Sequence, residues 1–254
     1  MRKIVYAILL LVCVSSCITK KELAYMQNNN FKENIPTSFT TTSKEYRLQP
    51  NDVLSIKVLS AQPEVANPYN VINPSNGFGF AEPGSLFLNG YSIDKEGNIS
   101  LPDVDKIKVG GLTTDEAKNK IQLEISRYIN DATVIVKLLS FKISIIGEVK
   151  APGHYFIYNE QANLFEGLAM AGDLTTAANR ENIKLVRQNA GSSEVVLLDL
   201  KDPNIIQSQY YYLQPNDVIY VEPRNKYLGR ENLSLAGTVF GLVSTTILLL
   251  NYFR

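Results

Sequence analysis

Six residues occur twice in this chain. Leu48-Gln49-Pro50-Asn51-Asp52-Val53 is identical to Leu213-Gln214-Pro215-Asn216-Asp217-Val218. The proline sets φ at the start of a turn, and Asn and Asp are turn residues. Each copy then runs into an apolar strand, Leu54 to Val58 in one case and Ile219 to Val221 in the other. The identity does not extend on either side, so a duplicated domain is not indicated. The same local solution, a proline-initiated turn feeding a core strand, is used once in each of two units.

Signals between the copies fill out those units. Tyr91 to Ile93 and Asn98 to Leu101 flank a turn at Gly97 and read as a hairpin. Thr113 with Glu116 three residues on is a capping box, and Ala117, Ile121, Ile125 and Tyr128 recur at helical spacing, so a helix is expected from about 114 to 128. Thr133 to Leu139 is β-branched and reads as a strand. Residues 61–89 are rich in Pro, Asn and Gly and read as a long loop or insertion. The second unit opens with the strand Lys142 to Val149, a Pro152-Gly153 turn and a return strand to Tyr158. Asn163 with Glu166 caps a second helix, Leu164 to Ala171, stopped by Gly172. Two further strands follow around the turn at 189–193. The expected class is α+β.

Both termini carry other patterns. Arg2 and Lys3 followed by Ile4 to Val14 read as a signal peptide over 1–16. Val14-Ser15-Ser16-Cys17 looks like a bacterial lipobox, which implies cleavage before Cys17 and lipidation there, with palmitate among the attached acyl chains; the alternative is an ordinary secretory signal with an incidental cysteine. Ile18, in place of Asp, implies transfer to the outer membrane. Residues 17–44 are polar and read as a flexible tether, in which Tyr25 and Met26 could dock onto the body of the protein. Leu233 to Leu250 carries no charge, and as a helix it would measure roughly 27 Å against the ~30 Å core of a bilayer. A transmembrane helix over 233–250 is therefore expected. Ser234, Gly237, Thr238, Gly241, Ser244 and Thr245 gather on one face of it, suited to packing against neighbouring helices or to facing a pore.

Composition excludes more than it assigns. The formal net charge is zero, so no basic surplus points to nucleic acid. The only histidine is His154, and Cys17 would be the only cysteine left after cleavage, which removes most metal sites, triads and disulfides. Asp94, Glu96, Asp103 and Asp105 are not spaced as a calcium loop. Gly110-Gly111 lacks the Lys-Ser/Thr of a phosphate loop. Tyr210 to Tyr212 suit core or interface packing better than a sugar platform, because alternate strand residues point oppositely. No catalytic residue, cofactor or metal is expected.

The runs YRLQPNDVLSIKV and DKEGNISLPDVDKIKVGGLTTDEAK resemble the polysaccharide biosynthesis/export domain, over about 45–140. ISIIGEVKAPGHYFI, NLFEGLAMAGDLTTAANRENIKLVR and the closing LQPNDVIYVEP are similar to the soluble-ligand-binding β-grasp domain, over about 141–223. The chain is identified as a member of the outer-membrane polysaccharide export lipoproteins. The resemblance implies a small export domain, a β-grasp domain and a C-terminal helix. It implies a homo-oligomeric ring, often an octamer, with its globular part in the periplasm. The ring would pass capsular or exopolysaccharide across the outer membrane and dock onto an inner-membrane co-polymerase or tyrosine kinase. Asn51 and Asn216 stand where the family usually has glycine, and only one β-grasp domain is visible. A non-conducting periplasmic adaptor or glycan-binding lipoprotein, anchored by its C-terminal helix, is the alternative. A processing enzyme would need paired carboxylates that no recognisable site supplies.

Overall fold

The computed structural model describes residues 20–28, 31–41, 44–70, 90–189, 191–224 and 230–252; along the last helix, side chains are described at 237–246, 248 and 249. The chain builds two cores in sequence, each a sheet backed by one capped helix.

A short helical turn, α1 (Lys20–Leu23), precedes the first unit. β1 (Val53–Leu59) is the central strand of that unit. After it come a single helical turn, α2 (Pro63–Ala66), and a 3-10 turn over Asn67–Tyr69, so the stretch expected as loop begins with ordered structure that buries Ala66 and Tyr69. Asn70 completes it: its side-chain oxygen accepts from Val58 N–H at 2.8 Å and its amide donates to Val58 O at 2.9 Å, occupying the backbone groups that an adjoining strand would otherwise use. β2 (Tyr91–Ser92) and β5 (Thr133–Leu138) pair antiparallel with β1 on its two sides. β3 (Asn98–Ile99) pairs with β4 (Ile107–Lys108) in a separate ribbon. The hairpin expected around Gly97 is therefore split. Its first strand joins the sheet, held by Tyr91 Oη donating to Tyr69 O at 2.8 Å, and its second joins β4. The turn itself survives because Asp94 accepts the Asn98 N–H at 2.7 Å and Gly97 takes a φ of 82°.

α3 (Thr114–Ile125) has the full capping box on Thr113 and Glu116 and buries Ala117, Ile121 and Ile125 against β5. Strand β5 alternates as its sequence does, with Val134 and Val136 in the core and Thr133, Ile135 and Lys137 outside. Each fully buried Ile or Val of this kind is worth roughly 1.5–3 kcal/mol relative to exposure.

The second unit is a mixed sheet in the order β7-β6-β10-β8-β9. It comprises β6 (Lys142–Gly147), β7 (Gly153–Phe156), β8 (Ala178–Asn189), β9 (Ser192–Leu198) and β10 (Val218–Pro223), with β10 parallel to β6. Helix α4 (Leu164–Met170), capped by Asn163 and Glu166, lies on one face of it. Gly167 sets that approach: a Cβ there would lie 2.8 Å from Leu213 Cδ1 and 3.0 Å from Ile143 Cδ1. Gly147 is tighter still, since a Cβ would fall 2.1 Å from Val221 O and its φ is 91°. The units are joined without slack. Leu138 packs on both cores, Leu139 N–H donates to Val53 O at 2.8 Å, and Phe141 is already buried in the second core.

Within the segment 17–44, the docking open to Tyr25 and Met26 is made on the second unit by residues 20–28. Met26 N–H donates to Leu200 O at 2.9 Å, and Gln27 N–H to Lys201 O at 2.7 Å. Tyr25 Oη donates to Asp173 Oδ1 at 2.5 Å, while its ring lies 5.5 Å from the Arg180 guanidinium and 5.9 Å from the Phe165 ring. Arg224 grips Glu22 through its carboxylate at 2.8 Å and its carbonyl at 2.9 Å. Burial and the Asp173 hydrogen bond push the Tyr25 hydroxyl well above the usual phenol range.

One expectation is corrected, that of a transmembrane helix. α5 (Arg230–Tyr252) is helical, but among the described residues no helix is long and apolar enough to cross a membrane. Gly237, Thr238, Gly241, Ser244, Thr245 and Thr246 lower its apolar content. Among the described residues the fold is thus mixed α and β, without a membrane-crossing helix.

Candidate functional site: the cleft between the units

The two hexapeptides fold alike. Asn51 and Asn216 both take the left-handed conformation, with φ of 71° and 66°, which Asn tolerates in place of glycine. Asp52 N–H donates to Gln49 O and Asp217 N–H to Gln214 O, both at 3.1 Å. Each aspartate also accepts the N–H of its glutamine through Oδ2 at 2.8 Å, closing the turn a second time. Both carboxylates are buried.

Their remaining partners differ. Asp52 accepts from Tyr46 Oη at 2.8 Å and Ser140 Oγ at 3.1 Å, all neutral donors. Burial pushes its carboxyl above the ordinary range, opposed by the hydrogen bonds from Gln49, Tyr46 and Ser140. The Tyr46 hydroxyl is pushed up as well, by burial and by Asp52 beside it. Asp217 instead meets Arg187 in a two-pronged pair, Nε to Oδ1 at 3.0 Å and Nη2 to Oδ2 at 2.7 Å, with the side chains 5% and 0% exposed. Burial pushes Asp217 up, and the Arg187 guanidinium pulls it back.

The turns come together at one opening. A cleft of about 710 Å³ lies where the units meet, lined by Gln49 of the first repeat and Gln214 of the second. Lys44, Arg47, Lys95 and Lys108 give it four cations against the carboxylates of Glu45 and Glu96. Arg47 is partly engaged, donating to Gly111 O at 2.8 Å and Glu116 Oε2 at 3.3 Å. Gly97, Gly110 and Gly111 supply bare backbone on one wall, and Asn189 closes the other side.

The other sequence-selected residues lie elsewhere. Cys17 is outside the described residues. So is the side chain of Ser234. Gly237 and Gly241 have no neighbour within 4 Å of a built Cβ, and the stretch 237–246 is exposed along its length. The hydroxyls of Ser244 and Thr245 donate back to Gly241 O at 3.0 and 2.6 Å. Tyr210 to Tyr212 are packing residues: Tyr211 meets Phe165 and Tyr212 at 6.1 and 5.3 Å, and Tyr210 bonds Glu194 under the Arg187 guanidinium. His154 lies on β7, opposite Ser144 of β6. Cross-strand pairing places Ser144 Oγ 2.9 Å from its Nδ1. A carboxylate orienting the other ring nitrogen is not found among the described hydrogen bonds and ion pairs, so this remains a surface pair and not a triad. Among the described residues no cluster of His, Cys, Asp and Glu could hold a metal ion.

Comparison with known proteins follows the same division. The polysaccharide biosynthesis/export protein family matches residues 40–139, and the SLBB domain matches residues 141–221. The chain belongs to the polysaccharide export protein family. It is 30% identical over 184 residues to the EPS I polysaccharide export outer membrane protein EpsA of Ralstonia solanacearum, covering 70% of this chain and 48% of that protein. The counterpart from Ralstonia nicotianae is 29% identical over the same length. The polysialic acid transport protein KpsD of Escherichia coli is 26% identical over 180 residues, 68% of this chain and 31% of that one. The chain thus spans about half the length of the first of these relatives. This family is one of export proteins and not of enzymes, and its kinship assigns the chain to the outer membrane.

Proposed function

We propose that this export-family chain is a lipid-anchored subunit of an oligomeric translocon that moves capsular or exopolysaccharide across the outer membrane. The observation that carries the reading is the pair of family domains in series, 40–139 and 141–221, built on two separate cores with a tight join. Cys17 is the acylation site, the globular units stand in the periplasm, and the chain does no covalent chemistry. Its partners are further copies of itself, the polysaccharide, and an inner-membrane co-polymerase or tyrosine kinase.

The exposed side chains of α5 support assembly. Val239, Phe240, Leu242, Val243, Leu248 and Leu249 are at least half exposed, a run that one copy leaves uncovered. The small residues Gly237, Thr238, Gly241, Ser244 and Thr245 give another helix room to approach closely. In the second reading the chain is a glycan-binding adaptor that never conducts, which the amide side chains lining the cleft between the units favour.

Deleting the gene and measuring secreted polysaccharide tests the export role, with unchanged secretion counting against it. Particle mass after mild detergent extraction tests assembly, and a monomer mass removes the oligomer. A purified assembly that inserts into bilayers without conductance leaves the adaptor. Fatty-acid labelling that persists in Cys17→Ala overturns the lipidation.

A further inference from the structure

We infer that the cleft between the two units is a binding site for a carboxylated saccharide segment. That the occupant is a saccharide rests on the export reading; that it is acidic, and that it sits here, rests on the lining.

The volume of about 710 Å³ is in the range of ordinary ligand clefts. Three of its side chains, Gln49, Asn189 and Gln214, are half-buried amides. An amide offers a donor and an acceptor side by side, which suits a sugar hydroxyl that must both give and take a hydrogen bond. Asn189 already donates to Glu194 at 3.0 Å, which fixes its amide plane. Gln49 and Gln214 are held at their backbones by the paired aspartates, so both amides are carried on rigid turns.

The charge is on the rim. Lys44, Lys95 and Lys108 are exposed and line the cleft together with Arg47, four cations against the two exposed carboxylates of Glu45 and Glu96. Gly97 leaves room for one of them, since a Cβ there would lie 3.1 Å from Lys108 Nζ. A chain with a carboxylate on successive sugars could meet these cations in turn. Exposed ion pairs of this kind contribute about 0.2–1 kcal/mol each. The site is therefore shallow in energy and sensitive to salt, which suits a polymer that must slide through as well as bind.

An acidic peptide would carry the same charge, but it fits less well. Peptides add to open strand edges. Here the backbone of Leu48 is already used, its N–H donating to Leu112 O at 2.9 Å and its carbonyl accepting from Gly111 N–H at 2.8 Å.

The test uses the full chain in detergent and calorimetric titration with oligogalacturonate, a maltooligosaccharide of equal length, and oligoglutamate. Oligogalacturonate is expected to bind, more weakly as salt rises, and to exceed both others. Lys95→Glu with Lys108→Glu is expected to weaken it about tenfold or more with the thermal midpoint unchanged. Gln49→Ala with Gln214→Ala is expected to weaken it also in high salt, where the rim charges are screened. Failure of oligogalacturonate to bind, equal binding by the charge-reversed chain, or equal binding of oligoglutamate overturns the inference. Complementation of a deletion strain separates the two claims. If secretion needs the chain but the variants bind oligogalacturonate like the wild type, only the cleft assignment falls. If secretion does not need the chain, the export reading falls.

Discussion

The same six residues close two turns with opposite electrostatics. In the first unit Asp52 is surrounded by the hydroxyls of Tyr46 and Ser140, in the second Asp217 faces the Arg187 guanidinium. The hexapeptide decides the backbone. The neighbours decide whether the carboxylate meets a cation or neutral donors, and hence what a substitution costs. A buried carboxylate among neutral donors can exchange a charge for an amide at small loss, whereas a buried ion pair deprived of one member strands the other.

The sharpest way to break this comparison is to make one substitution in both places. Asp217→Asn should cost about 3–5 kcal/mol in urea denaturation, because Arg187 is left buried without its counter-charge. Asp52→Asn should cost about 1 kcal/mol or less. Equal losses would mean that the partners do not matter. Replacing Asn51 or Asn216 by Val should instead cost the same in both copies, about 1–2 kcal/mol, since both take left-handed φ; the matching Gly variants should stay near wild type. The helix caps offer a smaller matched pair. Thr113→Ala and Asn163→Ala should each lose about 1 kcal/mol, one in each unit.

The smallest effect is in pH. Burial raises the Asp52 pKa, so the folded state holds its proton more tightly than the unfolded chain. The stability contributed by this group is full below the ordinary carboxylate range and is lost as pH rises through the raised value. Asp52→Asn should flatten that part of the stability–pH curve. An unchanged slope in the variant would show that Asp52 does not carry it.

Local signals in the sequence transfer well to the structure where the interaction is local. Both capping boxes form with the residues expected, and β5 alternates as TVIVKL demands. The hairpin around Gly97 shows the limit. Its turn is local and forms, but the partner of Tyr91 is β1, nearly forty residues earlier in the chain, and the Tyr91 hydroxyl also bonds Tyr69 O. Tyr25 carries an apolar ring in a polar stretch, which marks it for docking, yet nothing local says that Asp173, Arg180 and Phe165 will form its seat. The cleft was half legible: a repeated Gln-Pro-Asn-Asp pointed to matched turns, but not to their meeting.

By itself, then, the order of residues determined the two units, their caps, the left-handed turns and the family. These depend on φ/ψ preference and on contacts a few residues apart. Tertiary structure alone decided which buried aspartate would face a cation, that residues 20–28 would lie on the second unit, and that Gln49 and Gln214 would share one cleft. Those depend on which distant surfaces are brought within hydrogen-bond range, and no local preference encodes that distance.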